Sequence, residues 1–278
     1  MDFDTQEFLK HSQDKNDSFK IFHLNIRSFS ANVLQLDHFL SLINHKIDII
    51  ILSEAWINNV EAYKSLFPDY EIQYSNKTNK AGGVIVLTYR NNIKIFDTRI
   101  NFLDEADSIS LLFSYKSQNS QSLIALYRSP SSNFWNFMNS LNEAVKADKN
   151  NLYLLAGDFN VDMNSYTTDP KSENLYDTLL EYGLIPVIKT PTRPKSSTVI
   201  DQMFFAQNKT RAQDITSGNI LANLTDHNIH YAYIANRPIL NKNDQPINHK
   251  KIFFKELNQK KFVEDLKVRF CDSSQYVA

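Results

Sequence analysis

The chain has 278 residues, 42% of them hydrophobic, which is enough for one large domain with a full core or for two small domains. The formal net charge of -1 excludes a global field that would draw the chain onto nucleic acid or a membrane, so a nucleic-acid partner needs a local basic patch or a bound cation. A single cysteine, Cys271, excludes an internal disulfide, and no apolar run approaches the roughly 20 residues that span a bilayer. We therefore expect an intracellular protein that is not secreted.

Residues 1–18 are polar and predict a flexible N-terminal arm. The apolar segment FKIFHLNI then predicts the first strand. Apolar residues recur at three- and four-residue steps from Val33 to Ile43, which predicts an amphipathic helix with Asn32 as its N-cap. The next segment, IDIIILSE, is typical of a strand that is covered on both faces.

Four further strand candidates follow, rich in Ile, Val, Leu and Tyr: GGVIVLTYR, NIKIFDTRI, DSISLLFSY and SLIALYRS. A helical stripe from Phe134 to Val145 precedes a short buried strand at Leu152–Ala156, and a second helix ends at Gly183. STVIDQMFFA and IHYAYIA are the last two predicted strands. Because several strands follow one another directly, the pattern predicts antiparallel or mixed sheets with helices packed outside.

The sequence changes character after the last predicted strand. A polar stretch predicts a linker, and Phe262, Leu266 and Phe270 then recur at helical spacing. A short helix with such a stripe needs a surface to cover it, so we expect it either to begin a missing region or to dock on the main domain. The predicted organisation is an arm at 1–18, a main domain at 19–236, and a linker with a short helix at 237–278.

Polar side chains stand at or near the ends of predicted strands, where a sheet gathers groups from distant parts of the chain. These candidates are Asn25, Glu54, Tyr127, Asp158, Asn160, Asp201, Asp226 and His227. Singly, each has an ordinary structural interpretation as a turn former, a cap or a core tyrosine. Asp201 is more informative because a carboxylate inside an apolar strand is costly to bury alone, and His227 is the obvious partner.

Asp158 and Asn160 stand one residue apart just past the strand at Leu152–Ala156, so their side chains share a direction. A turn would use both residues to bond the backbone. A catalytic pair would use the first as a base and the second as a hydrogen-bond donor. Both interpretations are open at this point.

In order and context, six motifs resemble the endonuclease/exonuclease/phosphatase superfamily, which includes pancreatic deoxyribonuclease and the apurinic/apyrimidinic endonucleases. They are LNI at Leu24–Ile26, LSEAW at Leu52–Trp56, LYRSP at Leu126–Pro130, GDFN at Gly157–Asn160, STVID at Ser197–Asp201 and TDHN at Thr225–Asn228. Five of the motif sequences are most similar to the apurinic-endonuclease-like endonuclease domain of non-LTR (LINE-type) retrotransposon proteins: LNIRSF, LSEAW, YRSP, GDFN and PTRP. Ala55 and Thr225 depart from the Thr and Ser expected there.

The resemblance implies an α/β fold, a four-layer sandwich of two packed, mainly antiparallel β-sheets flanked by helices. It also implies a divalent cation, Mg²⁺ with Mn²⁺ as the alternative, held chiefly by Glu54 with Asn25 and Asp226. Mg²⁺ takes oxygen ligands and often uses only one or two protein carboxylates, which agrees with this set. In a non-LTR protein the segment at 237–278 would begin a missing reverse transcriptase region.

The same resemblance implies in-line attack of water on a phosphodiester. Asp158 would orient or deprotonate the water, and Asn160 and Tyr127 would hydrogen-bond phosphate oxygens. His227, kept protonated by Asp201, would stabilise the developing negative charge.

A stretch without acids between Tyr182 and Ile200 contains Lys189, Arg193 and Lys195. These cations predict either a basic loop that follows a DNA backbone or an ordinary solvated loop. Arg128 completes the predicted substrate-binding residues.

The expected function is that of a monomeric DNA endonuclease that nicks double-stranded DNA in the nucleus and leaves a 3′-hydroxyl to prime reverse transcription. One alternative is another phosphohydrolase of the superfamily: an abasic-site endonuclease, an RNA exonuclease or a phosphatase. The other is an inactive remnant that only binds.

Overall fold

A computed structural model describes residues 1–13, 15, 17–76, 81–210 and 212–235. The predicted linker and helix at 237–278 lie outside the described residues. Within the described part, no helix is long and apolar enough to cross a membrane.

The described residues form thirteen strands. In chain order they are β1 (Asp2–Asp4), β2 (Phe19–Asn25), β3 (Ile49–Ser53), β4 (Tyr70–Tyr74), β5 (Val84–Tyr89), β6 (Ile93–Ile100), β7 (Ala106–Tyr115), β8 (Gln121–Arg128), β9 (Leu152–Asp158), β10 (Leu184–Pro186), β11 (Asp201–Ala206), β12 (Ile215–Leu221) and β13 (Ile229–Ile234). The first sheet has the spatial order β1-β12-β13-β2-β3-β5-β4, and the second has the order β10-β11-β9-β8-β7-β6. Both sheets are mixed, with mainly antiparallel pairs.

Helices occupy the connections between strands. The α-helices are α1 (Thr5–Ser12), α2 (Phe29–Ser41), α3 (Phe134–Asp148) and α4 (Pro170–Glu181), and short 3-10 helices span Glu61–Leu66, Met163–Ser165 and Ala212–Asp214. Apolar side chains of α1 and α2 pack on the outer face of the first sheet, and those of α3 and α4 pack on the second. A third apolar cluster fills the space between the sheets. The predicted four-layer α/β sandwich is therefore confirmed.

Strand β3 shows how the sequence supplies two of these layers. Ile49 and Ile51 pack between the sheets, whereas Ile50 and Leu52 pack under the helices. Alternate residues of a strand point to opposite faces, so an uninterrupted apolar run serves both cores. The prediction that IDIIILSE forms a strand covered on both faces is confirmed.

The N-terminal segment differs from the expected flexible arm, because most of it is regular structure. Strand β1 pairs in parallel with β12, and a capping box between Asp4 and Glu7 begins α1. Phe8 is fully buried and its ring lies 5.2 Å from that of Tyr231. The polar composition of the segment concealed two aromatic anchors, since the Phe3 ring also stacks on Tyr231 at 6.2 Å.

Helix α2 begins earlier than the sequence predicts. The N-cap is Ser28 and not Asn32, and the Ser28 side chain makes no capping hydrogen bond. Asn32 lies in the first helical turn and donates its amide to the Ile26 carbonyl over 2.8 Å. The predicted cap is therefore wrong, and Asn32 instead fixes the loop that follows β2.

Candidate active site

Backbone register lines up three predicted site residues across the second sheet. Tyr127 on β8 pairs with Asp158 at the end of β9, and Asp158 pairs with Asp201 at the start of β11. Residues paired across neighbouring strands point to the same face. A tyrosine and two carboxylates from distant parts of the sequence therefore stand side by side.

Asn25 joins this row to the first sheet. Its side-chain amide donates one hydrogen bond to Glu54 Oε1 over 2.9 Å and another to Asp158 Oδ2 over 2.8 Å. Asn25 ends β2 and Glu54 follows β3, whereas Asp158 ends β9 on the opposite sheet. The candidate site is therefore built at one edge of the sandwich from both sheets.

The turn after β9 combines the two interpretations of Asp158 and Asn160. The Asn160 backbone N–H donates to Asp158 Oδ1 over 2.9 Å, as in an Asx turn, and Asn160 has a φ of 48°. The Asn160 side-chain amide donates to the Arg128 carbonyl over 2.8 Å. The turn thus presents the Asp158 carboxylate to the site while one side of the Asn160 amide is bound to the protein.

Arg128 lies inside the protein, in contrast to its predicted place at a substrate surface. Only 2% of the residue is exposed, and its guanidinium donates to the carbonyls of Phe159 over 2.7 Å and Asn160 over 2.9 Å. A third donation reaches Ser132. Arg128 therefore holds the turn that carries Asp158.

Asp201 and His227 form the predicted pair. His227 Nδ1 lies 2.8 Å from Asp201 Oδ2, and both side chains are buried. Burial alone would lower the pKa of His227, but the Asp201 carboxylate outweighs it and raises that pKa to about 9. Burial likewise acts to raise the pKa of Asp201, but the imidazolium of His227 holds it well below its usual range. The pair is an imidazolium and a carboxylate at neutral pH.

Asp158 has the opposite character. Burial and then the negative charge of Asp201 raise its pKa to about 8, against the lowering effects of His227 and Asn25. A carboxyl group whose pKa lies near neutrality accepts a proton readily, which suits a general base. Neighbouring carboxylates with widely separated pKa values are typical of acid–base sites.

Tyr127 completes the row as a hydrogen-bond donor. It is almost fully buried, and burial followed by the charges of Glu54 and Asp158 raises the pKa of its hydroxyl. The hydroxyl therefore stays protonated through the physiological range and can donate a hydrogen bond to an anion.

The residues at this edge fit a divalent cation. Glu54 is partly exposed and supplies carboxylate oxygens, the ligand type that Mg²⁺ prefers. The Asn25 amide turns its nitrogen toward Glu54, and its oxygen accepts a hydrogen bond from the Arg27 N–H over 3.2 Å, which leaves that oxygen a second lone pair for an ion. Ligand atoms of Asp158, Asp201 and His227 also lie within 4.8 Å of one another, but the His227 imidazolium has no lone pair to offer an ion. A cation here would also offset the negative charge of Asp201, which together with burial raises the pKa of Asp158.

Asp226, a predicted metal ligand, forms salt bridges with two arginines. Arg27 Nη1 lies 2.9 Å from Oδ1, and Arg193 Nη2 lies 2.9 Å from Oδ2. Burial acts to raise the pKa of Asp226, but the hydrogen bonds from Arg27 and Arg193 outweigh it and lower that pKa. Asp226 therefore anchors two half-exposed arginines beside the site. Sequence reasoning missed Arg27, although it stands two residues after Asn25.

The predicted basic loop forms a small hairpin. Arg193 and Thr198 form a β-bridge, and Lys195 is exposed between them. Lys189 is also exposed, before the hairpin begins. Arg193 is the member of this group that the structure ties to Asp226, next to His227.

Strained backbone concentrates around Asn25 and Glu54. Arg27, Ser28, Glu54 and Trp56 all have φ between 42° and 82°, a region that side chains other than glycine rarely adopt. The two loops support each other, because Ser28 N–H donates to the Glu54 carbonyl over 2.9 Å. Such conformations persist only where surrounding structure over-determines them, and they cluster at functional sites.

Comparison with known proteins places this geometry in a family. The family model described as Endonuclease/Exonuclease/phosphatase family matches residues 22–227. A sequence search among curated proteins found no significant match.

Solved structures share the fold at low sequence identity. The endonuclease domain of TRAS1, a telomere-specific non-LTR retrotransposon, aligns with a TM-score of 0.59 and 13% identity over 78% of this chain and 98% of that one. The 3′ phosphatase NExo from Neisseria, bound to a product DNA hairpin, gives 0.59 and 15% over 78% and 99%. The human Nocturnin catalytic domain gives 0.58 and 11% over 79% and 94%. With its site residues gathered at one edge of this fold, the chain belongs to the endonuclease/exonuclease/phosphatase family of metal-dependent nucleases and phosphatases.

Proposed function

We propose that this chain is a Mg²⁺-dependent DNA endonuclease that nicks one strand of a duplex and leaves a 3′-hydroxyl. The observation that carries the proposal is the pair of hydrogen bonds from the Asn25 side-chain nitrogen, to Glu54 over 2.9 Å and to Asp158 over 2.8 Å. Asp201 pairs with Asp158 on the next strand. The Asn25 nitrogen thus links Glu54, the proposed cation ligand, to Asp158, the proposed general base.

The residues divide the reaction among them. Asp158 accepts a proton from the attacking water, whose oxygen bonds to phosphorus as the bond from phosphorus to O3′ breaks. The leaving O3′ takes up a proton from solvent and becomes the new 3′-hydroxyl, and the attacking oxygen remains on the 5′-phosphate. The imidazolium of His227 and the hydroxyl of Tyr127 donate to the phosphate oxygens as their charge increases. A cation held by Glu54 and Asn25 would supply Lewis-acid stabilisation of that charge.

DNA is the proposed substrate for two reasons. The sequences of the motifs resemble those of non-LTR endonucleases, and the TRAS1 endonuclease domain has the same fold. Arg27 and Arg193 also place positive charge beside His227, although the whole chain has a net charge of -1. We propose that a monomer acts in the nucleus and that the nick primes reverse transcription.

The test is nicking of supercoiled plasmid by the full chain, with Mg²⁺ and then with EDTA. We expect relaxation by the wild type that EDTA abolishes and that Asp158→Asn lowers by about 10²–10⁴-fold. The matched control is Asp97→Asn, an exposed aspartate of β6, which should leave the rate unchanged. A folded wild type that leaves the plasmid intact contradicts the proposal.

The chemistry of the nick is tested separately. DNA polymerase extends a nick only from a 3′-hydroxyl, so incorporation of labelled nucleotide at the product supports the priming role. A nick that cannot be extended would contradict it.

A second candidate is a phosphatase or repair nuclease, because the Neisseria 3′ phosphatase aligns with the same TM-score of 0.59. Duplexes that carry a 3′-phosphate or an abasic site, together with RNA and inositol phosphates, distinguish these activities from nicking of plain DNA.

A further inference from the structure

Two histidines from the first sheet lie beside Asp201. His23 on β2 and His230 on β13 are paired across their strands, are fully buried, and stack with ring centroids 5.4 Å apart. Neither takes part in the proposed reaction. His23 Nδ1 lies 3.9 Å from Asp201 Oδ1, and His230 Nε2 lies 3.7 Å from Asp201 Oδ2.

Hydrogen bonding fixes the orientation and the proton of His230. The Asn219 side-chain nitrogen donates to Thr190 Oγ1 over 2.9 Å and to the Pro191 carbonyl over 3.0 Å. The Asn219 oxygen therefore faces His230 Nδ1, at 2.8 Å, and Nδ1 must carry the proton. The other ring nitrogen, Nε2, faces the Asp201 carboxylate.

His23 has a similar arrangement. Its Nε2 lies 3.1 Å from Ser53 Oγ, and burial lowers its pKa to about 3, so the ring is neutral. Within the described part of the chain, His23 Nδ1, His230 Nε2 and Asp201 Oδ1 have no hydrogen-bond partner. Three buried polar atoms thus converge without a partner, and burying each of them costs free energy.

The spacing of these atoms suits a metal ion better than a water molecule. The two histidines face different Asp201 oxygens, at 3.9 and 3.7 Å. Two ligands of one tetrahedral zinc ion stand about 3.3–3.6 Å apart, whereas two hydrogen-bond partners of one water stand about 4.6 Å apart, so these distances are nearer to the metal spacing. Bonds from zinc to imidazole nitrogen and carboxylate oxygen are about 2.0–2.2 Å long, whereas hydrogen bonds of water are about 2.8 Å long. Donor atoms of all three residues lie within 4.8 Å of one another.

We propose that His23, His230 and Asp201 form a buried site for a divalent transition metal, with Zn²⁺ as the favoured ion. Neutral imidazole nitrogen and carboxylate oxygen are donors that Zn²⁺ accepts, whereas Mg²⁺ prefers oxygen alone. This site differs from the partly exposed Mg²⁺ ligand Glu54 in its nitrogen donors and in its complete burial. The ion would bind the same carboxylate that charges His227, and so would support the active site from the interior.

The experiment uses the full chain, refolded from denaturant with and without Zn²⁺, then washed with EDTA and analysed for metal by mass spectrometry. A fully buried ion is released slowly, so we expect one Zn²⁺ per chain after the wash and a higher unfolding temperature than in the zinc-free protein. An ion at the partly exposed Glu54 would be removed by the wash. Refolded wild-type protein that keeps no zinc overturns the proposal without any variant.

Variants locate the ion. Zinc should be retained by Glu54→Gln and by Asp158→Asn, and it should be lost from His23→Phe and His230→Phe, which replace each donor with an apolar ring. His38→Gln, on the exposed surface of α2, is the matched control and should keep the zinc. Zinc that survives both phenylalanine variants, or that disappears with Glu54→Gln, contradicts the assignment to this cluster.

Discussion

Asp158 and Asp201 lie opposite each other on neighbouring strands, yet their surroundings give them different protonation behaviour. Asp201 faces the His227 imidazolium, which holds the pKa of Asp201 well below its usual range. Asp158 is buried beside the negative charge of Asp201, and burial and then that charge raise its pKa to about 8. One carboxylate therefore stabilises a cation while the other is ready to take a proton.

The pH dependence of stability tests the Asp201–His227 pair. The pKa of His227 is raised to about 9 in the folded chain, from 6.5. Its favourable contribution is fully present below pH 6.5 and is lost as the pH rises through 9. The free energy of unfolding of the wild type, minus that of His227→Gln, should fall by about 3 kcal/mol over this range. Urea unfolding at several pH values measures it, and a constant difference would show that the pair is not charged.

Arg128 tests the support of the turn that carries Asp158. Arg128→Met removes the donors to the carbonyls of Phe159 and Asn160, and we expect the free energy of unfolding to fall by about 1–3 kcal/mol for each acceptor left unsatisfied. The turnover rate should fall while KM changes little. Arg128→Lys restores charge but not the fork of donors, so full recovery by lysine would point to a charge effect instead.

At the scale of elements, strand β9 contains a glycine that has no room for a side chain. Gly157 has a φ of 154° and pairs with Leu126 of β8, so a Cβ at this position would overlap the Leu126 carbonyl. A side chain here must push the two strands apart, and these strands carry Asp158 and Tyr127.

Gly157→Ala should therefore destabilise the protein severely, by about 4 kcal/mol or more, and abolish activity. Gly183→Ala is the matched control, because Gly183 has a φ of 72° but no atom within 4 Å of an added Cβ. That variant should cost about 1 kcal/mol. Thermal and urea unfolding compare the two, and equal losses would show that the contact with Leu126 is unimportant.

The sequence predicted elements with long apolar runs and missed those without them. β3 and β9 were recognisable because their apolar runs, IIIL and LYLLA, fill cores on both faces. β12 was missed because ITSGNIL contains a glycine and two hydroxyl residues, and β10 because it has only three residues and ends in proline. Such strands are specified by their neighbours in the sheet and not by their own composition.

At the scale of the whole domain, the N-terminal segment completes the first sheet. Phe8 packs against Phe22, Tyr231 and Tyr233 at centroid distances of 5.8, 5.2 and 6.0 Å. These partners belong to β2 and β13, the strands that also carry His23 and His230. The start of the chain therefore stabilises strands that reach the active site.

Phe8→Ala should lower the free energy of unfolding by about 3–5 kcal/mol, because it leaves a cavity among aromatic rings. Lys10→Ala, on the exposed side of the same helix, should change it by less than about 0.5 kcal/mol. Similar unfolding temperatures for the wild type and Phe8→Ala would mean that the segment is dispensable.

The sequence identified several residues that the structure brings together, but not their arrangement. Motif order indicated Asn25, Glu54, Asp158, Asp201 and His227, and the structure brings them together. The roles of Arg27, His23 and His230 depend on which strands are neighbours and how the two sheets face each other. A single sequence contains no record of that pairing, so the arginine anchor of Asp226 and the histidine cluster became visible only in three dimensions.

The Asn25 amide bridges the two sheets, so the turnover rate depends on the position of one sheet relative to the other. Glu54 follows one sheet and Asp158 ends the other, so a slide of a few tenths of an ångström between them stretches a hydrogen bond at the reaction centre. Substitutions deep in the layer between the sheets, far from any substrate, can shift this alignment without unfolding the domain. We therefore expect such substitutions to lower the turnover rate while the melting temperature stays unchanged.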